Sequence, residues 1–480
     1  MRVSRDSSRR PVSNECAAAM SSTPAPLTAV TTGCKIGSTG RTNIVARQQA
    51  KGMPQRASLR SPNSGKTYEA VAERAGPAAC RSRLRSRRLR STEGEHFVSV
   101  LADSGIREQF PAAENLLYLD AAHQTPLPTS VRATLDAFYD QALHTAGPKQ
   151  GWLNRVEEVR DQLARFLGVD AHDIAFTKNT SEGLNVAAHG VRWEPGDNVL
   201  LLEGEHPNNA YAWLSQRPHG LEVRLVPQDK KWADADSFAP YIDERTRAVA
   251  ISHVMFHSGQ RNDVAAVTAL ARQHGIEVVV DAMQSVGVLA VDARALGVSA
   301  LASGCHKGLL VPQGLGFLYT PHDAERLPPT YVALAGVANS RTSLVAGPEP
   351  VQLRPGAQRF EIGNFNLAAI HGLGASLALI ESVGIDRIES HVLSLGDHLL
   401  AGLDGLDIPL VGPVEREHRS HIYVLDLPGP FWPELFTTEN VRLSPVRDGI
   451  RVSFGLYNTT DDVDRFVDLL RRGRKLHGTV

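Results

Sequence analysis

Two kinds of apolar pattern alternate along this chain. Short runs rich in β-branched residues recur at 173–177, 198–202, 247–252 and 276–280, with a further pair at 300–303 and 314–319. Unbroken runs of this length suit strands buried on both faces of a parallel sheet. Between them the spacing becomes helical. Over 155–167 the residues Val156, Val159, Leu163, Phe166 and Leu167 share one face, and Gly168 stands where a C-terminal cap belongs. Asp263 caps a second helix whose stripe is Val264, Val267, Leu270 and Ala271, ended by Gly275. This alternation over 173–319 predicts right-handed βαβ units in a mainly parallel sheet.

Beyond about Leu353 the pattern turns to longer helices. The segments 421–427 and 450–454 alternate like strands of a smaller domain, and a helix near 461–471 packs through Val463, Phe466, Val467 and Leu470. The expected division is a tail over 1–95, an N-terminal segment over 96–128 packing near the small domain and the site, a large α/β domain over 129–350, and a smaller α+β domain over 351–480.

Composition changes this picture only at the N-terminus. At 480 residues, with 42% hydrophobic and 21% charged residues, the chain can build two cores and has the make-up of an ordinary soluble protein. It has no apolar run of about 18 residues, so no membrane-spanning helix is expected. The net charge of −1 hides an asymmetry: residues 1–92 carry 18 Lys and Arg against 4 Asp and Glu, leaving 15 surplus negative charges on the remainder. An acidic core argues against nucleic-acid binding there. The tail, with its run RSRLRSRRLR over 81–90, is expected to be disordered. It is either inert or an artefact of a start at Met20, Met53 or later, a targeting segment, or a contact for nucleic-acid phosphates. Cys16, Cys34, Cys80 and Cys305 show no metal-ligand spacing and no disulfide framework, which fits a reducing cytoplasm.

Candidate chemistry begins with Asp281, directly after the run 276–280, and Lys307, shortly after 300–303. Ligands of open α/β sheets sit at the carboxyl ends of strands, so the two are expected to face one site. Taken singly, each has a plainer reading: a turn-capping aspartate and a surface lysine. Together they suit pyridoxal phosphate, with the lysine amine forming a Schiff base and the carboxylate holding the pyridine nitrogen protonated. Asn179, Thr180 and Ser181 head a helix whose unpaired amides would cradle a phosphate, or serve only as its cap. Arg451, a charge within a strand pattern, can hold a carboxylate bidentately or take part in an ordinary ion pair.

Eight ordered blocks carry a family resemblance: LYLDAAHQTPLP at 117–128, TKNTSEGLN at 177–185, EHPNN at 205–209, SHV at 252–254, DAMQ at 281–284, HK at 306–307, RFEIGNFN at 359–366 and RVSFGLYN at 451–458. On these the chain resembles the class V aminotransferase group of fold-type I pyridoxal phosphate enzymes, which includes cysteine desulfurases, kynureninase and isopenicillin N epimerase. The resemblance implies a fold-type I transferase fold. It also implies catalytic roles for Lys307, Asp281 and His206, the last stacking on the cofactor ring. Thr180, Ser181 and His306 would contact the phosphate and Gln284 the phenolic oxygen.

Many desulfurases carry a phosphate-binding Ser where this chain has Gly304, and Ser303, one residue earlier, is the substitute. Asn364 is either a phosphate contact to a neighbouring subunit, making a homodimer with a shared site, or a helix cap. Arg451 would hold the substrate carboxylate, while His123 and Gln124 are either substrate contacts or part of an ordinary turn. The reaction expected is transamination or epimerisation at Cα of a small-molecule substrate, an amino acid or amine. The alternative is a C–S or C–C lyase of the desulfurase or kynureninase type. A catalytically silent scaffold is disfavoured because Lys307, Asp281 and Arg451 are all present. Desulfurases of this group place an acceptor cysteine just before the carboxylate arginine; the segment 441–450 has none, and Cys305 is only two residues before the lysine.

Overall fold

The computed structural model describes residues 101, 105–228, 230–321 and 327–477. The expectations for the tail, including Cys16, Cys34 and Cys80, fall outside the described residues. Those residues belong to one compact unit spanning Arg90–Val480.

The large sheet has seven strands: β2 (Ile174–Thr177), β3 (Asn198–Leu202), β4 (Glu222–Val226), β5 (Thr246–Ser252), β6 (Glu277–Asp281), β7 (Ala300–Gly304) and β8 (Gly316–Tyr319). Their order is β2-β8-β7-β6-β5-β3-β4. From β7 through β4 every pairing is parallel, as the alternating pattern predicts. β8 runs antiparallel to both neighbours, β7 and β2. The link from β7 to β8 is only residues 305–315, too short for the crossover a parallel partner needs. That link is the turn carrying Lys307.

Alternation along the strands divides the core in two. Val249 and Ile251 of β5 join one cluster, with Val159, Leu163, Val267, Leu373 and Leu377 from helices Lys149–Phe166, Val264–Gln273 and Leu367–Val383. Ala248 and Ala250 point the other way and meet Leu184, Val186 and Trp213. Both sheet faces are therefore covered, and the strands read as continuous apolar runs rather than alternating ones. β4 is the exception. As the edge strand it exposes Glu222 and Leu225 while burying Val223 and Val226, a mixed pattern that no unbroken apolar run announces.

A three-stranded antiparallel sheet, β11-β12-β9, forms the C-terminal region from β9 (Ile422–Leu425), β11 (Ser444–Val446) and β12 (Gly449–Ser453). Its core gathers Leu399, Trp432, Phe436 and Phe466 from helices Ile385–Leu403, Phe431–Thr438 and Thr460–His477. β1 (Leu117–Tyr118) pairs in parallel with β10 (Val441–Arg442), and Leu117 and Leu119 enter this second core. The chain just before the loop 121–128 is thus fixed to the C-terminal region. Among the described residues no single helix is long and apolar enough to cross a membrane.

Candidate active site

β6 ends at Asp281 and β7 at Gly304, and the turns after them are pressed together. A Cβ on Gly308 would collide with the carbonyl oxygen of Val286, and one on Gly287, at φ +85°, with Gly308. Glycines at these positions let the segment after Asp281 lie directly on the segment carrying Lys307. Thr125 Oγ1 donates to the Lys307 carbonyl at 2.7 Å, strapping the loop 121–128 across the same turn.

A cleft of about 200 Å³ opens above these turns, lined by Asn179, Thr180, Ser181, His206, Asn208, Ser252, Val254, Phe256, Asp281, Met283, Gln284, His306 and Lys307. The sequence-based site is therefore largely brought together. Asp281 is buried, and its Oδ1 accepts the Met283 N–H at 2.9 Å. Burial raises its pKa, opposed by that hydrogen bond and by the Lys307 charge. Lys307 is partly open to the cleft, and its pKa is lowered to about 8, first by burial and then by Arg451, with Asp281 and Asp120 pulling the other way.

His206 caps helix Pro207–Leu214, its Nδ1 accepting the Asn208 N–H at 3.2 Å. Its ring meets Phe256 edge-on at 4.9 Å. Burial, then Lys307 and Arg451, lower its pKa to about 4, so it is neutral near pH 7, with the proton on Nε2. His306 is likewise lowered to about 4 by burial, Lys307 and His123.

Asn179 caps helix Thr180–Gly190, so the N-terminus of that helix faces the cleft. Gly304 lies beside it: a Cβ there would stand 3.1 Å from Thr180 Oγ1 and 3.0 Å from Met283 Sδ. The space that a serine side chain would take is bordered instead by the methionine sulfur, which receives Thr180 Oγ1 at 3.0 Å and the Gly304 N–H at 3.2 Å.

Ser303 corrects an expectation. Residues 303 and 304 project to opposite faces of β7, so with position 304 facing the cleft-wall residues Thr180 and Met283, Ser303 turns away. Its hydroxyl is fully buried, donates to the Gly304 carbonyl at 3.1 Å, and does not line the cleft.

Other expected residues lie at the margins. Gln284 donates through Nε2 to the Ala122 carbonyl at 3.0 Å, leaving its buried Oε1 without a partner. His123 is exposed, and Gln124 accepts from Gln313 Nε2 at 3.2 Å; neither lines the cleft, although His123 is close enough to bias His306. Asn364 is exposed and lies in a separate depression with Thr177, Lys178, Glu182 and Gly314.

Arg451, buried on β12, donates through Nη1 to the Phe256 carbonyl at 3.2 Å and reaches Asp120 Oδ1 from Nη2 at 3.4 Å. Its Nε is buried and unpartnered. It stands outside the lining but shifts Lys307, His206 and His421 by its charge.

Several residues here escaped the sequence reasoning. Glu205 lies three residues beyond β3, as Asp281 stands at the end of β6, and a search for acids near the ends of buried apolar runs finds both. It is buried, receives Ser252 Oγ at 2.6 Å and Asn209 Nδ2 at 3.0 Å, and burial raises its pKa to about 7. Asp120, Phe256 and His421 reach the site through contacts distant in sequence. Cys305, the free cysteine among the described residues, is wholly buried, and burial pushes its thiol well above the ordinary range.

The donor set fits pyridoxal phosphate: a helix N-terminus and hydroxyls for the phosphate, a buried carboxylate for the pyridine nitrogen, a glutamine amide at the edge, and an amine of lowered pKa. Comparison with known proteins agrees. The model of the family "Aminotransferase class-V" matches residues 117–435. An "Uncharacterized aminotransferase" of Schizosaccharomyces pombe is 38% identical over 377 residues, covering 76% of this chain and 95% of that protein. A "Probable cysteine desulfurase" of Methanothermobacter thermautotrophicus is 34% identical over 309 residues, covering 63% and 76%. The apo structure of cysteine desulfurase from Thermococcus onnurineus NA1 superposes with a TM-score of 0.71 at 24% identity, covering 78% of this chain and 98% of that one, which bears on the fold alone.

Proposed function

Because the chain belongs to the class-V aminotransferases and is an enzyme that uses pyridoxal phosphate, we propose that it breaks the carbon–sulfur bond of a cysteine-type amino acid after removing the Cα proton. The observation that carries the reading is Lys307, an amine of pKa about 8 open to the cleft between buried Asp281 and the Arg451 charge. Bound there, the cofactor supplies an aldehyde for amine exchange and a ring that accepts the electron pair released at Cα.

Each residue has one task. Asn179, Thr180 and Ser181 would hold the phosphate at their helix N-terminus, and Asp281 the proton of the pyridine nitrogen. His206, neutral and steadied by Phe256, offers a flat face for the ring. Arg451 takes the substrate carboxylate through its unpartnered Nε and an Nη. Lys307, as the free amine, receives the Cα proton and passes it to the departing sulfur, a base matched to near-neutral pH. Asn364, exposed outside its own cleft, is assigned to the cleft of a second copy in a homodimer.

The fate of sulfur separates this chain from a persulfide-forming enzyme. Residues 441–450, which run from β10 through the tight β11–β12 turn, carry no cysteine, and Cys305 is buried with its thiol protonated. Sulfur therefore leaves in solution: cysteine and water give pyruvate, ammonia and hydrogen sulfide. Transamination would use the same residues, and the name of the S. pombe relative points to it.

The test is a product balance with cofactor-loaded protein and L-cysteine. Equal pyruvate and sulfide support the proposal. Alanine without pyruvate would mean sulfur transfer to an acceptor thiol, and an oxo acid that retains the substrate side chain would mean transamination.

A further inference from the structure

The carboxylate-binding arginine is already held by a second carboxylate. Asp120 is 3% exposed, and it faces Arg451 Nη2 at 3.4 Å across side chains that are both almost fully enclosed. Ser444 Oγ hydrogen-bonds the same carboxylate, 2.8 Å from Oδ1 and 2.9 Å from Oδ2. Ser444 and Arg451 are register partners on β11 and β12, so neighbouring strands present a hydroxyl and a guanidinium to one acid. The acid itself is fixed by backbone. Asp120 bridges Ser453 of β12, the Ser453 N–H donates to the Leu119 carbonyl at 2.9 Å, and Ser453 Oγ accepts the Ala122 N–H at 2.8 Å.

The geometry points to Asp120, steadied by Ser444, as a positioning residue that sets the guanidinium of Arg451 for the substrate α-carboxylate and offsets its charge beside Lys307. An arginine held at Nη2 by Asp120 and at Nη1 by the Phe256 carbonyl cannot rotate freely, and its unpartnered Nε defines the edge left for a ligand. A preset guanidinium binds a carboxylate without first losing rotamer freedom. The offset follows from the charges around the amine: Arg451 disfavours the ammonium of Lys307, while Asp120 and Asp281 favour it. His206 and His306, the other titratable groups on the cleft wall, are neutral near pH 7 and leave that balance to the two acids and the arginine. The inference rests on the assignment of Arg451 to the carboxylate, and not on which bond the enzyme breaks.

The experiment uses the cofactor-loaded full chain with L-alanine and its carboxylate-free counterpart, ethylamine, neither of which carries sulfur. Binding is followed by the visible absorption of the cofactor. Asp120→Asn is expected to weaken alanine binding about 30-fold, the loss of roughly 2 kcal/mol of charge-assisted orientation, and to leave ethylamine within about twofold. Ser444→Ala, which keeps both charges, is expected to move alanine in the same direction by about threefold. A second readout uses cofactor-free protein. Removing Asp120 takes away a charge that favours the Lys307 ammonium, so the pH midpoint for aldehyde uptake should fall in Asp120→Asn. Unchanged or tighter alanine binding in both variants, or equal losses for alanine and ethylamine, would overturn the inference. A failed product balance with cysteine would leave these ratios intact and would count against the carbon–sulfur reading alone.

Discussion

The floor of the cleft and its arginine side are built by different means. The floor is the ends of two adjacent parallel strands, β6 and β7, with Asp281 the last residue of β6 and Lys307 delivered by the turn after β7. Its precision comes from backbone contact at Gly287 and Gly308, where no side chain fits. The arginine side joins β1, β11, β12 and the loop holding Phe256, segments far apart in sequence, through side chains that meet on Asp120 and Arg451. The floor should therefore be rigid and intolerant of added volume. The arginine side should be tunable, trading affinity for the substrate without loss of the cofactor.

The largest effect expected is on the floor. Lys307→Ala removes the amine and the base together and should lower turnover by about 10³-fold or more while a folded protein remains, measured by product formation and circular dichroism. Gly308→Ala attacks the backbone contact, and the forced shift should cost about 3 kcal/mol, read as a lower midpoint in denaturant together with weaker cofactor retention. On the other side, Arg451→Lys loses the fork geometry and should raise KM for an amino acid by roughly 30-fold with the cofactor still bound, a split that Gly308→Ala should not show.

The smallest effects are pH-dependent. Glu205 has a folded pKa raised from 4.5 to about 7, so its contribution to stability is full below about pH 4.5 and declines as pH rises through 7. Glu205→Gln lacks that titration, and thermal unfolding of the cofactor-free protein should show its deficit against wild type narrowing between pH 5 and 8. His206, His306 and His421 are held near 3 to 4, chiefly by burial, which acts in the opposite direction. Their contribution is present above pH 6.5 and is lost as pH falls towards 4.

This contrast also explains what was legible in the sequence. Asp281 and Lys307 stand out because a charge just after a buried apolar run has a single place to go, the open end of the sheet. The parallel core follows from the alternation of strand and helix patterns, whereas the reversal of β8 depends on the length of one link. Ser303 was misplaced because a one-residue offset on a strand reverses the face, and strand alternation outweighs nearness in sequence. The partnership of Asp120, Ser444 and Arg451 spans some 330 residues and has no local pattern. Sequence spacing finds chemistry that strands deliver one residue at a time, and it misses chemistry assembled between distant segments.

The most direct test of the account is the pH dependence of Cα hydrogen exchange in heavy water, measured with L-alanine on the cofactor-loaded enzyme. If Lys307 is the base, the rate should climb with pH and level off only above neutrality, and Lys307→Ala should abolish it. A profile already flat from about pH 4 upward would assign the proton to His206 or His306 and contradict the central role given to Lys307.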